Sequence, residues 1–135
     1  MWDHFTALKS IDGELSLSDV SNLYSLLYSF PSLHTIKEGI SIVNNPRLVD
    51  LGEIPLQFLG ANTLGQSVFI QSNPPLVSLG ETFSQLTNLT GTITIQDNPN
   101  LVNFDGFRNL ICHGGVTGES TGEIPLWLRD LPSCS

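Results

Sequence analysis

The chain has 135 residues, enough for one domain with a real core. Only 13% of them are charged against 40% apolar, so the surface has to be built largely from Ser, Thr, Asn, Gln and Gly. Five Lys and Arg against 13 Asp and Glu, a formal net charge of −8, argue against nucleic acid and anionic membrane surfaces, because both need clustered cations. No run of about 18 apolar residues is present, which excludes a transmembrane helix.

Residues 1–12 open on Met1-Trp2-Asp3-His4-Phe5, without the basic stretch and apolar run of a signal peptide. Phe5, Leu8, Ile11 and Gly13 then step by three, three and two. The same steps return in Phe83, Leu86, Leu89 and Gly91, and nearly so in Phe30, Leu33, Ile36 and Gly39. The chain therefore starts inside a repeat, as a partial coil whose next strand needs a neighbour. We expect this uncapped N-terminal coil to continue into a larger chain or assembly, or to be covered by another chain.

From residue 13 to 110 a second pattern recurs: apolar-x-apolar-x-x-Asn-Pro-x-Leu-x-x-apolar. Its first copy is degenerate, Leu15-Ser16-Leu17 followed by Val20, Leu23 and Leu26. Three close copies follow, on Ile40-Ser41-Ile42 with Asn45-Pro46, on Val68-Phe69-Ile70 with Asn73-Pro74, and on Ile93-Thr94-Ile95 with Asn98-Pro99. The leading positions 15, 40, 68 and 93 are spaced 25, 28 and 25. Alternating apolar residues predict a short strand with one face inward. Asn then bends the chain by bonding local backbone, and Pro stops the strand. The Phe-x-x-Leu-x-x-Leu stretch returns the chain, and Gly closes the coil. One such coil cannot bury its own apolar stripe, whereas stacked coils bury a continuous column, and each Leu, Ile or Phe contributes roughly 1.5–3 kcal/mol. This predicts a mainly β chain, a parallel solenoid of four coils over 13–110. Asn45, Asn73 and Asn98 form a ladder at its turns.

The 28-residue spacing places extra residues around Ile54 to Gly65. Here Pro55 to Asn62 should bulge as a loop or short helix. After Leu110 the pattern decays. His113 falls where Leu is expected, Val116 can begin a truncated strand, and Gly114 to Gly122 reads as a flexible loop. Residues 111–135 form the expected C-terminal cap, with Trp127, Leu128 and Leu131 on one face of a short helix. Cys112 and Cys134 bracket this cap and are the chain's two cysteines. A bridge between them would stabilise it by roughly 3 kcal/mol and would favour an oxidising compartment. Asn88-Leu89-Thr90 is an N-glycosylation triplet.

Outward residues of successive strands should form ladders on one face. The central column is Ser16, Ser41, Phe69 and Thr94. Glu14, Gly39, Ser67 and Thr92 flank it on one side, and Ser18, Val43, Gln71 and Gln96 on the other. Phe69, an aromatic among small hydroxyl residues, is the candidate anchor for a partner. Gln71 and Gln96 join Ser16, Ser41, Phe69 and Thr94 as candidate binding residues. A second outward column is Val49, Val77 and Val102.

Chemistry for catalysis is missing from the sequence. His4, His34 and His113 lie in different coils without metal-ligand spacing, and no Asp-x-Asp pattern points to calcium. The stretch Gly114-Gly115-Val116-Thr117-Gly118 lacks the lysine of a phosphate loop. No enzyme activity, cofactor or metal is expected.

Gly91-Thr92-Ile93-Thr94-Ile95-Gln96-Asp97-Asn98-Pro99-Asn100-Leu101-Val102-Asn103-Phe104 resembles the receptor L-domain family. Residues 13–104 carry that resemblance. Glu123-Ile124-Pro125, with Leu128, is a shorter echo of plant-type leucine-rich repeats. The resemblance implies a right-handed, leucine-rich-repeat-like solenoid and extracellular or cell-surface recognition, not enzymatic activity. Two functions follow as expectations. One is a module that binds a protein or glycan on its strand face. The other is a structural unit packed through its solenoid ends into a surface or matrix assembly.

Overall fold

The computed structural model describes residues 5–118 and 124–134. Its strands are β1 (Ser10–Ile11), β2 (Leu15–Ser18), β3 (Thr35–Ile36), β4 (Ile40–Val43), β5 (Phe58–Leu59), β6 (Gln66–Gln71), β7 (Thr92–Gln96) and β8 (Val116–Thr117). One short helix, α1 (Leu126–Arg129), follows. All strand pairs are parallel, in a five-stranded sheet β2-β4-β6-β7-β8 and a three-stranded sheet β1-β3-β5. A third line of single-residue parallel bridges joins Ser25, Asp50, Ser78 and Asn103. Each coil thus has three sides, and each side pairs with the same side of the next coil. This is a parallel β-solenoid with a repeat of about 25 residues.

The core follows from that register. Ile40, Val68 and Ile93 stack in one buried column, and Ile42, Ile70 and Ile95 in the next. Leu48, Leu76 and Leu101 are buried beyond the turn, and Phe83 stacks on Phe107 with ring centroids 4.8 Å apart. Strand residues between them point outward, because successive side chains alternate across a strand.

The turn after each strand is tighter than the Asn-Pro dipeptide alone implies. The residue in the left-handed region is the one before the asparagine position: Asp19, Asn44, Ser72 and Asp97, all with φ between 57° and 59°. The asparagines themselves turn inward and are fully buried at 45, 73 and 98. Each Nδ2 donates to the carbonyl of the preceding coil's strand: Asn45 to Leu17 at 3.1 Å, Asn73 to Ile42 at 3.1 Å, and Asn98 to Ile70 at 3.0 Å. Each Oδ1 accepts the backbone N–H of the equivalent residue one coil earlier, from Val20, Asn45 and Asn73 at 3.0–3.1 Å. The ladder therefore satisfies buried backbone groups that the turn removes from the sheet.

Two local expectations are corrected. The segment from Pro55 to Asn62 forms no helix and is held to the coil, and the exposed turn comes just after it, at Thr63 to Gly65. Ile54, Leu56 and Leu59 are buried, and β5 pairs with β3. Apolar residues at these positions find the core without leaving the coil. The extra length is absorbed in part as a β-bulge, where the pairing of β6 with β7 slips between Gln66 and Val68. The second correction is at the C-terminal cap, where Trp127 is 45% exposed and Ile124 and Leu128 are the residues that plug the core. A helix of four residues has only enough surface to bury one side chain deeply.

Cys112 and Cys134 form a disulfide across this cap, with Cα atoms 5.0 Å apart. His113 is buried beside it and closes the gap between coil and helix. The Gly115 N–H donates to Nδ1 at 3.0 Å, so Nδ1 is unprotonated, and the Nε2–H donates to the Leu128 carbonyl at 2.6 Å. Residues 119–122 of the expected Gly-rich loop, and His4, lie outside the described residues. Gly114 and β8 belong to the coil stack, with the Gly114 N–H donating to the Gly91 carbonyl at 2.9 Å.

Candidate functional site

The five-stranded sheet brings most of the proposed face together. Ser16 pairs with Ser41, Ser41 with Phe69, and Phe69 with Thr94, all in one column. Thr117 of β8 extends the column and donates to the Thr94 hydroxyl at 3.3 Å. Beside it run Ser18, Val43, Gln71 and Gln96. The amides of Gln71 and Gln96 make no side-chain hydrogen bond to any described residue. Parallel pairing spaces successive coils about 4.8 Å apart, so the column presents hydroxyl and amide groups at nearly regular intervals.

Phe69 is half-buried rather than fully exposed. A flat ring in the middle of a sheet is partly covered by its neighbours on adjacent strands, here Ser41 and Thr94.

Ser67 does not belong to the outward flanking column. The bulge turns it inward, where it is fully buried, and puts Gln66 opposite Thr92. The bulge is wedged between two glycines. A Cβ on Gly39, whose φ is +92°, would come within 2.8 Å of the Gln66 carbonyl oxygen, and a Cβ on Gly91 would strike the Ser67 hydroxyl. The Ser67 Oγ has no hydrogen-bond partner. Asn62 comes from the extra residues of this coil. It donates to Gln66 Oε1 at 3.2 Å and to Glu14 Oε2 of the first coil at 3.5 Å. The sequence signal for this was the 28-residue spacing, which puts extra residues around Ile54 to Gly65 without showing which way they turn.

The electrostatics of the face are simple. Among the described residues Glu14 is the one charged residue in its three columns. The Glu81–Arg108 pair clamps neighbouring coils elsewhere, at 2.6 Å. The Arg108 guanidinium hydrogen-bonded to Glu81 holds that carboxyl below the usual glutamate value. Among the described residues no three His, Cys, Asp or Glu side chains gather in a metal-binding group. No helix among them is long and apolar enough to cross a membrane.

Two apolar features lie off the sheet. Val49, Val77 and Val102 are exposed at 45%, 40% and 68%, in line with Tyr24 of the first coil through the backbone bonds Val49 N–H to Tyr24 O, Val77 N–H to Val49 O and Val102 N–H to Val77 O. The exposed prolines Pro46, Pro74 and Pro99 run beside them. At the N-terminal end, Phe5, Leu17, Val20, Leu23, Leu26 and Phe30 line a cavity of about 350 Å³. Val20 stands where later coils have asparagine, so the side-chain ladder has no rung there.

Comparison with protein-family models, curated proteins and solved structures yields no match. The class that the geometry defines is a parallel β-solenoid with a disulfide-closed C-terminal cap.

Proposed function

We propose that this chain is a non-enzymatic recognition module of the extracellular or cell-surface space, taking a protein or glycan partner on its five-stranded face. The receptor L-domain resemblance of residues 13–104 supports this reading, and the disulfide is consistent with an oxidising compartment. The observation that carries it is the registered column Ser16, Ser41, Phe69, Thr94 and Thr117. The Ser16 and Ser41 hydroxyls and the Gln71 and Gln96 amides, without side-chain partners among the described residues, offer hydrogen bonds beside the paired Thr94 and Thr117 hydroxyls, and Phe69 offers a flat apolar platform in the column. A surface with a single charge at its edge among the described residues favours a neutral partner patch or a neutral sugar, because a charged partner would lose hydration without compensation.

Photo-cross-linking on the native source tests the face directly. A cross-linker placed at Thr94 is expected to capture the partner, and Phe69→Ala to weaken capture at least tenfold. The same substitution should cost only about 1–2 kcal/mol of stability, as half-burial of the ring implies. Capture confined to the first coil and the cap would overturn the strand-face reading.

That outcome belongs to the second reading, a structural unit packed through its ends. It is favoured by the apolar cavity at the first coil, where Leu8, Ile11, Leu15, Leu17 and Leu23 are only partly buried.

A further inference from the structure

Asn88-Leu89-Thr90 is the one Asn-x-Ser/Thr triplet in the chain. The fold buries Leu89 completely and leaves Asn88 and Thr90 on either side of it exposed. The backbone here is held: Asn88 bridges Cys112, and the Leu89 N–H donates to the Cys112 carbonyl at 3.2 Å. The side-chain amide of Asn88 is different, with no hydrogen bond to any described residue. Nearby exposed asparagines are engaged. Asn100 donates to the Pro74 carbonyl at 2.8 Å, Asn109 donates to the Ser84 carbonyl at 2.7 Å, and Asn103 accepts from the Asp105 N–H at 3.0 Å. Asn88 thus has no local role that a modification would break.

Its surroundings also suit a bound sugar. Ile111 lies beside the triplet, its N–H donating to the Thr87 carbonyl at 2.7 Å, and its side chain is 61% exposed. The carbon-bearing face of a first sugar could cover that apolar surface. Asn88 is on a different side of the coil from the Ser16–Thr117 column, so a glycan there leaves the strand face open.

We infer that Asn88 is an N-glycosylation site, a step that rests on the secretory reading above. The donor is a lipid-linked oligosaccharide diphosphate. Asn88 Nδ2 bonds to the anomeric carbon, the anomeric C–O bond breaks, the diphosphate leaves with its electron pair, and Nδ2 gives up one proton. Thr90 supplies the hydroxyl that the acceptor triplet requires.

The test uses the full chain, both secreted from a eukaryotic host and isolated from its native source. Intact mass before and after peptide-N-glycosidase should differ by one glycan, with Asn88 converted to Asp. N88Q and T90A should abolish the difference and T90S keep it, with an unchanged melting temperature for N88Q. A native chain with the Cys112–Cys134 bridge formed and a bare Asn88 overturns the site while leaving the secretory reading intact. Free thiols together with a bare Asn88 overturn both. A glycan that survives N88Q overturns the assignment to Asn88.

Discussion

Ser67 shows how much one residue's direction matters in a coil this regular. In a strand of strict alternation it would face solvent beside Thr92. One inserted residue turns it inward, between Gly39 and Gly91, with its hydroxyl unpaired. An unpaired buried hydroxyl costs about 1–3 kcal/mol of desolvation. Ser67→Ala is therefore expected to raise stability by about 1 kcal/mol, read as a higher denaturant midpoint with an unchanged slope. A loss of stability would show that the hydroxyl has a partner, such as a trapped water. Gly91 leaves no such freedom, since any side chain there meets Ser67 and the Gly65 carbonyl.

At the scale of elements, the two ends of the stack are built differently. The C-terminal end is closed by Ile124 and Leu128, by the His113 bonds to Gly115 and Leu128, and by a disulfide of sequence separation 22. A loop of that size is worth about 3 kcal/mol through the entropy it removes from the unfolded chain. Reduction of Cys112–Cys134 should lower stability by about that amount. Hydrogen exchange should show the loss first in α1 and β8, ahead of β4 and β6. Uniform loss across all coils would mean that the cap and the body unfold as one unit. At the other end the aromatic pair Phe5–Phe30, with centroids 5.1 Å apart, covers only part of the first coil's core.

For the molecule as a whole, stability is a chain of contacts between nearest coils, and the asparagine ladder ties those contacts together. Asn73 is its middle rung, fully buried. It donates to Ile42 O and Gln71 O and accepts from the Asn45 backbone N–H. Asn73→Ala strands these groups without water and should cost about 3 kcal/mol or more in equilibrium unfolding. Asn73→Asp keeps the acceptor toward Asn45 but removes the donor, and should be no better tolerated because it buries a charge. A cost below about 1 kcal/mol for either would show that the ladder follows the fold rather than supports it.

The second sheet of β1, β3 and β5 was not legible in the sequence, whereas the repeat, the strands of the five-stranded sheet, the buried columns and the phase of the asparagines were. All of them are set by spacing along the chain, because each coil repeats the same local problem. The aligned residues Ser16, Ser41, Phe69 and Thr94 were legible for the same reason. What spacing could not reveal depends on neighbours across coils. The bulge at Ser67, the half-burial of Phe69 and the exposure of Trp127 follow from where the adjacent coil's backbone lies. The left-handed residue before each asparagine, for example Asn44 before Asn45, was equally hidden, because Asp, Asn and Ser all occupy it. Sequence alone determined that the chain stacks into a solenoid, since an apolar period this regular can be buried only against copies of itself. Tertiary structure alone decided where the strand alternation breaks, as at Ser67, and how far an outward ring such as Phe69 is covered, since both depend on the packing of the coils above and below.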